Sequence, residues 1–228
     1  MKKIFVLLFM SAGLWNAAAQ TMEARFLEVT GTVEIKEANS PGWKRAAPGD
    51  QAGRNTVIST GVKSGAVIAV GSSRIEVRPL TMLTLEQLTR RGNTEETALY
   101  LRTGRIRAAV TPPRGQNIDF TVGSPTVTAS VRGTSFEFDG RRLQVDEGRV
   151  LLAGAGGQKV YVAQAQRSYV DENNQNRLVP PFEAEAAALR PLIPELTGTG
   201  SGSRPPDLGP GPVPGGKTGV GITVGWPQ

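Results

Sequence analysis

The sequence predicts an all-β protein: a single domain of many short strands, built as a sandwich, a roll or a short β-solenoid, then a short helix and a disordered tail rich in Gly and Pro. Three observations predict this. From about Glu23 to Val170, apolar residues recur at near period two. Gly, Asn, Asp and Pro close these runs every few residues. The composition then changes to Glu, Ala and Leu from Pro180, and to Gly and Pro from Thr197 onward.

The alternation is that of half-buried strands, whose successive side chains point to opposite faces. Ser64-Gly65-Ala66-Val67-Ile68-Ala69-Val70 is a short apolar run, closed by Gly71. Ile75 and Val77, then Leu83, Leu85 and Leu88, continue it. Leu99 and Leu101 precede Gly104, and Ile106, Ala108 and Val110 follow it. Phe120 and Val122 lead to Val127, Ala129 and Val131, then to Phe136 and Phe138. Val145, Val150 and Leu152 come next, with Val160 and Val162 behind them. Asp139-Gly140, Glu147-Gly148 and Gly156-Gly157 supply hairpin turn chemistry. Many short strands with closely spaced turns give one all-β domain over 23–170. No exact repeat runs through it, which disfavours a long regular solenoid.

Residues 180–196 hold the one good helix signal. Pro181 suits a first helical turn, Glu183 and Glu185 suit its N-terminal half, and Pro191 stops it after Arg190. So short a helix needs to dock on the β domain to persist. In 197–228, Gly and Pro occupy 16 of 32 positions, and such a segment buries too little apolar surface to offset its ordering entropy.

The N-terminus predicts export. Lys2 and Lys3 precede the apolar run Ile4 to Met10, and Ala17-Ala18-Ala19 offers a cleavage site after Ala19. That run is shorter than the ~20 apolar residues a spanning helix needs. Residues 1–19 are therefore expected to be a signal peptide, and the product periplasmic or secreted, with no transmembrane segment in the mature chain. The chain has no Cys, so neither disulfides nor a lipid-bearing cysteine is expected.

The chain also has no His. This removes the usual general base, the commonest metal ligand and the standard Ser-His and Cys-His pairs. No metal, cofactor or catalytic residue is expected. The net charge is +6, and +4 once Lys2 and Lys3 are removed. Acidic and basic residues are interleaved, as on an ordinary solvated surface.

The sharpest local feature is Val131-Arg132-Gly133-Thr134, with Phe136 and Phe138 behind it. Pro125-Thr126-Val127 stands ahead, and Val145-Asp146-Glu147-Gly148-Arg149-Val150 follows. Upstream lie Gly31-Thr32-Val33, Trp43, Pro48-Gly49-Asp50, Ile58-Ser59-Thr60-Gly61, Ile75-Glu76-Val77-Arg78-Pro79 and Leu101 to Ile106. This ordered series resembles the FecR protein domain, a family of bacterial envelope modules, over roughly Val29 to Gln166. Where the family usually shows a Gly-Gln turn, this chain has Ala165-Gln166. The family's iron-dicitrate regulators carry a cytoplasmic anti-sigma segment and a transmembrane helix ahead of this domain. The sequence ahead of Val29 reads as a signal peptide instead. The resemblance therefore implies the module, not the transmembrane signalling circuit.

The motif residues Val131, Arg132, Gly133, Thr134, Phe136, Glu147 and Gly148 also have a physical reading. Gly133 supplies a backbone shape or close approach that a Cβ would forbid. Thr134 caps the turn. Phe136 and Phe138 share one face and belong in the core. Arg132 ties loop carbonyls or a carboxylate such as Glu137 or Asp146. Arg132, Thr134 and Trp43 are the candidate ligand- or partner-binding residues.

Three function classes follow, in order of fit. The first is a non-catalytic envelope module that binds a protein or cell-envelope polymer, with a possible link to signalling. The second is a binder of polyanions or cell-wall glycan, served by a stripe of arginines at 102, 105, 107, 132, 141 and 142. No nucleic-acid motif accompanies that stripe, so nucleic acid is not an expected partner. The third is a hydrolase working through Asp139, Asp146 and Glu147, or a Ser59–Lys63 pair.

Overall fold

The structure is a computed structural model, and it describes residues 19–189. The expected signal peptide, except Ala19, and the expected tail lie outside the described residues, as do residues 190–196 of the helical segment.

The chain forms nineteen strands and one helix among the described residues. The N-terminal part holds β1 (Gln20–Thr21), β2 (Ala24–Thr30), β3 (Val33–Lys36), β4 (Lys44–Arg45), β5 (Gln51–Ala52) and β6 (Val57–Thr60). Next come β7 (Gly65–Val70), β8 (Ser73–Val77), β9 (Met82–Arg91), β10 (Thr94–Thr103), β11 (Ile106–Val110) and β12 (Asn117–Gly123). Then follow β13 (Val127–Val131), β14 (Ser135–Phe138), β15 (Arg142–Glu147), β16 (Arg149–Gly154), β17 (Lys159–Ala163), β18 (Arg167–Asp171) and β19 (Arg177–Val179). The helix is α1 (Pro181–Leu189).

The strands make two sheets. One runs in the order β17-β16-β13-β12-β10-β9-β6-β3-β4, with β1 added on β9. The other runs β19-β18-β15-β14-β11-β8-β7-β2-β5. The chain climbs both sheets together, crossing from one to the other as it goes. All pairs are antiparallel except β10 with β12, which lie parallel because β11, between them in sequence, belongs to the opposite sheet. This stretch is one coil of a solenoid inside what is otherwise a sandwich of hairpins, so features of both expected architectures coexist.

The expected apolar rows form the core. Phe26, Ile58, Ile68, Ile75, Leu83, Leu85, Leu99, Phe120, Phe136 and Phe138 are all buried. Burial of side chains of this size contributes roughly 1.5–3 kcal/mol each. Phe120 of one sheet and Phe136 of the other meet edge to face, ring centroids 6.3 Å apart. One apolar layer thus serves both sheets, the usual solution for two half-apolar faces.

Two of the three expected hairpin turns form, Asp139-Gly140 between β14 and β15 and Gly156-Gly157 between β16 and β17. Glu147-Gly148 instead carries the chain from β15 in one sheet to β16 in the other, and these two strands do not pair. At the turn between β17 and β18, Ala165 takes the left-handed conformation, φ +61°, that a glycine would adopt there. Its N–H donates to the Val145 carbonyl at 2.8 Å, and the Gln166 side chain accepts from Ala163 N–H at 3.0 Å. The Ala-Gln departure from the family's Gly-Gln thus keeps the turn at the cost of local strain. After Val170 the sheet continues through β19, and α1 docks on the domain through Pro181 and Ala184. Arg177 holds the first turn of α1 by pairing with Glu183 at 2.7 Å, which keeps that carboxyl below its usual range.

A buried carboxylate ties the two sheets at the β7–β8 turn. Glu95 on β10 is 3% exposed. Its Oε2 accepts the Ser72 N–H at 3.1 Å and the Ser72 hydroxyl at 3.0 Å, while Arg90 pairs with Oε1. Burial pushes its pKa up, but the Ser72 N–H, the Arg90 guanidinium and the Ser72 hydroxyl together outweigh it, and the net shift is downward.

Two predictions follow from these contacts. Glu95→Gln lowers stability at neutral pH by about 1–3 kcal/mol, because it removes the charge that three donors face. A depressed folded-state pKa gives stability that is full above the unfolded value, about 4.3, and is lost as pH falls through the folded one. Urea melts of both proteins therefore differ at pH 7 and converge in strong acid; an equal gap at both would refute the clamp. Ala165→Gly raises stability by about 1 kcal/mol by relieving the left-handed strain, read as a Tm gain of roughly 2–4 °C.

Candidate functional site

The Val-Arg-Gly-Thr motif sits where β13 crosses to β14. Thr134 is 3% exposed. Its N–H donates to the Val110 carbonyl at 2.9 Å, its carbonyl accepts the Val110 N–H at 3.0 Å, and its hydroxyl donates to the Arg149 carbonyl at 3.1 Å. Gly148 lies directly against it. A Cβ at Gly148 would stand 2.9 Å from both the Gly133 carbonyl oxygen and the Thr134 hydroxyl, and its φ is +84°. Gly133, φ +85°, packs over Pro112, 3.0 Å from where its own Cβ would be. The Val-Arg-Gly-Thr turn and the Glu-Gly crossing from β15 to β16 thus form one packed knot. Phe136 and Phe138 go to the core as expected, and Val131 is buried beside them.

This corrects two sequence expectations. Thr134 has no free hydroxyl to offer a ligand, since burial and the Arg149 carbonyl occupy it. Arg132 pairs with neither Glu137 nor Asp146. It directly follows β13, and its Nε meets Asp119 Oδ1 of β12 at 3.2 Å. Glu137 and Asp146 lie on the other sheet, paired with Arg105 at 3.2 Å and Arg107 at 2.9 Å. The Arg132 side chain is 84% exposed. Trp43, 44% exposed, precedes β4 at the far edge of the same sheet. Six strand spacings separate β13 from β4, or roughly 29 Å, so the structure does not bring Arg132 and Trp43 together.

The predicted stripe of arginines is redistributed. Arg102, Arg105, Arg141 and Arg142 gather with Arg78 along a groove of 920 Å³, whereas Arg107 and Arg132 lie outside it. The groove follows the joints of the two sheets: Arg78-Pro79, Leu101 to Arg105, Pro125-Thr126 and Glu137 to Arg142. Through Arg105, Glu137, Asp139 and Arg142 it continues into a second hollow of 410 Å³, which reaches Arg167, Tyr169 and the alanine face of α1.

Buried and half-buried hydroxyls set the groove wall. Thr60 Oγ1 donates to the Arg78 carbonyl at 2.6 Å and accepts the Thr81 N–H at 2.9 Å. Thr81 Oγ1 accepts the Arg105 N–H at 2.9 Å and donates to the Arg105 carbonyl at 3.1 Å. Ser124 and Thr126 both donate to the Gly140 carbonyl, at 2.7 and 3.0 Å. Asp139 Oδ1 accepts the N–H groups of Arg141 and Arg142 at 3.0 and 2.7 Å. With the joint backbones held in this way, the arginine side chains are left to face solvent. Sequence reading missed Arg78 and these hydroxyls; the Thr-Gly and Ser-Pro steps at 60–61, 103–104 and 124–125 were the available signal.

Some of the groove's charge is compensated. Arg78 pairs with Glu76 at 2.8 Å, Arg105 with Glu137 at 3.2 Å, and Arg141 with Glu172. Arg102, Arg142 and Arg167 carry no ion pair among the described residues. Among those residues no group of three carboxylates could hold a metal ion, and no helix is long and apolar enough to cross a membrane.

The family model described as FecR protein matches residues 56–155. Over these residues the chain is similar to the FecR protein family. The match holds the whole Val131 to Phe136 knot, its Gly148 partner and the joints bearing Arg78 to Arg142. Two crystal structures of a candidate anti-sigma factor from Parabacteroides distasonis ATCC 8503 also resemble the chain, each 12% identical over 58% of it, with TM-scores of 0.44 and 0.45. The chain spans 63% and 64% of those two solved chains. No curated protein matches it.

The FecR-domain knot and the exposed motif arginine should respond oppositely to mutation. Gly148→Ala costs about 2–4 kcal/mol, from the positive φ together with the backbone contact. Arg132→Ala changes stability by less than ~0.5 kcal/mol, since its pair is exposed. Denaturant midpoints of the two variants check this; equal losses would show that Arg132 belongs to the knot.

Proposed function

We propose that this chain is an exported, non-catalytic FecR-domain module that binds a partner protein of the cell envelope in a signalling-related role. One observation carries the reading: a groove whose backbone joints are braced by hydroxyls is left open, while Asp139 and Asp146 are each held by another group. Asp139 caps the β14–β15 turn, and Asp146 pairs with Arg107. Glu95, the buried carboxylate, is held ionised, the opposite of what a general acid requires. Ser59 lies in β6 and Lys63 in the turn after it, where φ is +52°. A rigid β scaffold with charged residues on its joints suits recognition, because little ordering entropy is lost on binding. Export rests on Lys2 and Lys3, the apolar run after them and Ala17 to Ala19.

The test is crosslinking in intact cells, with captured partners identified by mass spectrometry. A specific envelope protein, enriched over a Gly148→Ala variant of disturbed fold, is the expected result. Recovery of the same background proteins with both would sink the binding reading. Cell fractionation with N-terminal sequencing is expected to find a chain starting at Gln20 outside the cytoplasm; an intact Met1 in the cytoplasm would overturn export.

A further inference from the structure

We propose that the arginine groove is the recognition site of this module and that it takes an extended acidic peptide segment of the partner protein. The proposal deepens the protein-binding reading above and rests on it. Arg78, Arg102, Arg105, Arg141 and Arg142 line the first hollow, and Arg167 lines the second. Planar guanidinium groups pair carboxylates through two parallel hydrogen bonds, and Arg102, Arg142 and Arg167 have no ion pair among the described residues. Arg142 lines both hollows, with Arg102 in the first and Arg167 in the second, so each hollow carries arginines free of ion pairs.

Three features favour a peptide over other anionic chains. First, Glu137 and Asp139 also line the groove. They would repel a dense run of phosphates, whereas a peptide backbone brings N–H donors that carboxylates accept. Second, Tyr169, in the second hollow, is the one aromatic side chain lining either hollow. Bases and sugar rings bind chiefly by stacking on aromatic platforms, and a single one does not track a chain. Third, Leu101, Pro79, Pro125 and the Ala187-Ala188 face of α1 provide apolar contacts between the charges. A peptide with interspersed apolar and acidic side chains matches that alternation.

The dimensions fit as well. From β8, which Arg78 directly follows, to β18, which starts at Arg167, the sheet steps across β11, β14 and β15. Four strand spacings give roughly 19 Å, the length of about six extended residues. Most of the binding would come from charge, so it weakens steeply with salt.

The experiment measures fluorescence anisotropy of a labelled octapeptide of alternating Glu and Ala against the full chain, with its Gln-for-Glu counterpart and a sulfated oligosaccharide of matched charge as comparators. Saturable binding of the acidic peptide, and none of the Gln counterpart, is expected. Arg102→Glu and Arg142→Glu each weaken it on the order of tenfold. Arg25→Glu, which makes the same charge change on an exposed position of β2, weakens it by less than ~2-fold. No saturable binding, an equal effect of Arg25→Glu, or tighter binding of the oligosaccharide each overturns the proposal. Thermal melts confirm that the exposed substitutions leave the fold intact. In the intact-cell assay, a partner still captured by the Arg102→Glu Arg142→Glu double variant refutes the groove and leaves the binding module standing. Failure of the unmodified chain to capture any partner refutes the module itself.

Discussion

Two sheets that share one apolar layer can be joined only by segments that pass over its rim, and backbone groups buried there must still find hydrogen-bond partners. The remainder of this fold depends on how that constraint is met. At successive joints a small hydroxyl residue turns inward and satisfies the passing backbone. Ser64 accepts the Thr32 N–H, Thr60 and Thr81 hold the Arg78 and Arg105 carbonyls, Ser124 holds Gly140 and Thr134 holds Arg149. Thr and Ser suit the role because one hydroxyl both donates and accepts within a volume that the rim can hold. Glu95 performs the same task at the β7–β8 turn with a charge, and needs Arg90 and Ser72 to remain ionised there.

The constraint explains why the family motif is a folding motif. Gly133, Thr134 and Gly148 meet because the β13–β14 crossing and the β15–β16 turn pack on each other with no room for a Cβ between them. A chain that keeps this knot keeps the scaffold, whatever its surface presents. Recognition is then free to reside elsewhere, on side chains that the joints push outward.

The arginines of the groove occupy those positions. Arg78, Arg105, Arg141 and Arg142 each flank a backbone group held by a buried hydroxyl or by Asp139. Their backbones are fixed, while their guanidinium groups meet solvent and one another. Exposed pairs such as Arg105 with Glu137 add little to stability, since solvent screens them. Their value lies in shaping a field: Arg102, Arg142 and Arg167, without ion pairs among the described residues, are spread along the two hollows beside the paired Arg78, Arg105 and Arg141. Folding and recognition thus use the same joints, through opposite sides of the same residues.

The sequence by itself determined the β class, the alternating apolar rows of the core, the hairpin turns at Asp139-Gly140 and Gly156-Gly157, the helix from Pro181 and the resemblance to the FecR family. These are local properties: period-two burial and turn chemistry are written within a few residues. The tertiary structure decided everything that depends on which joints become neighbours. Arg132 chose Asp119 because both lie on one sheet, whereas Glu137 and Asp146, closer to one another in sequence than to Asp119, fell on the other. Arg78 joined Arg141, 63 positions away, in one groove, while Arg107, two residues from Arg105, was turned to Asp146. Spacing along the chain reports which face a side chain takes, but not which strands stack beside it, and that stacking made the site.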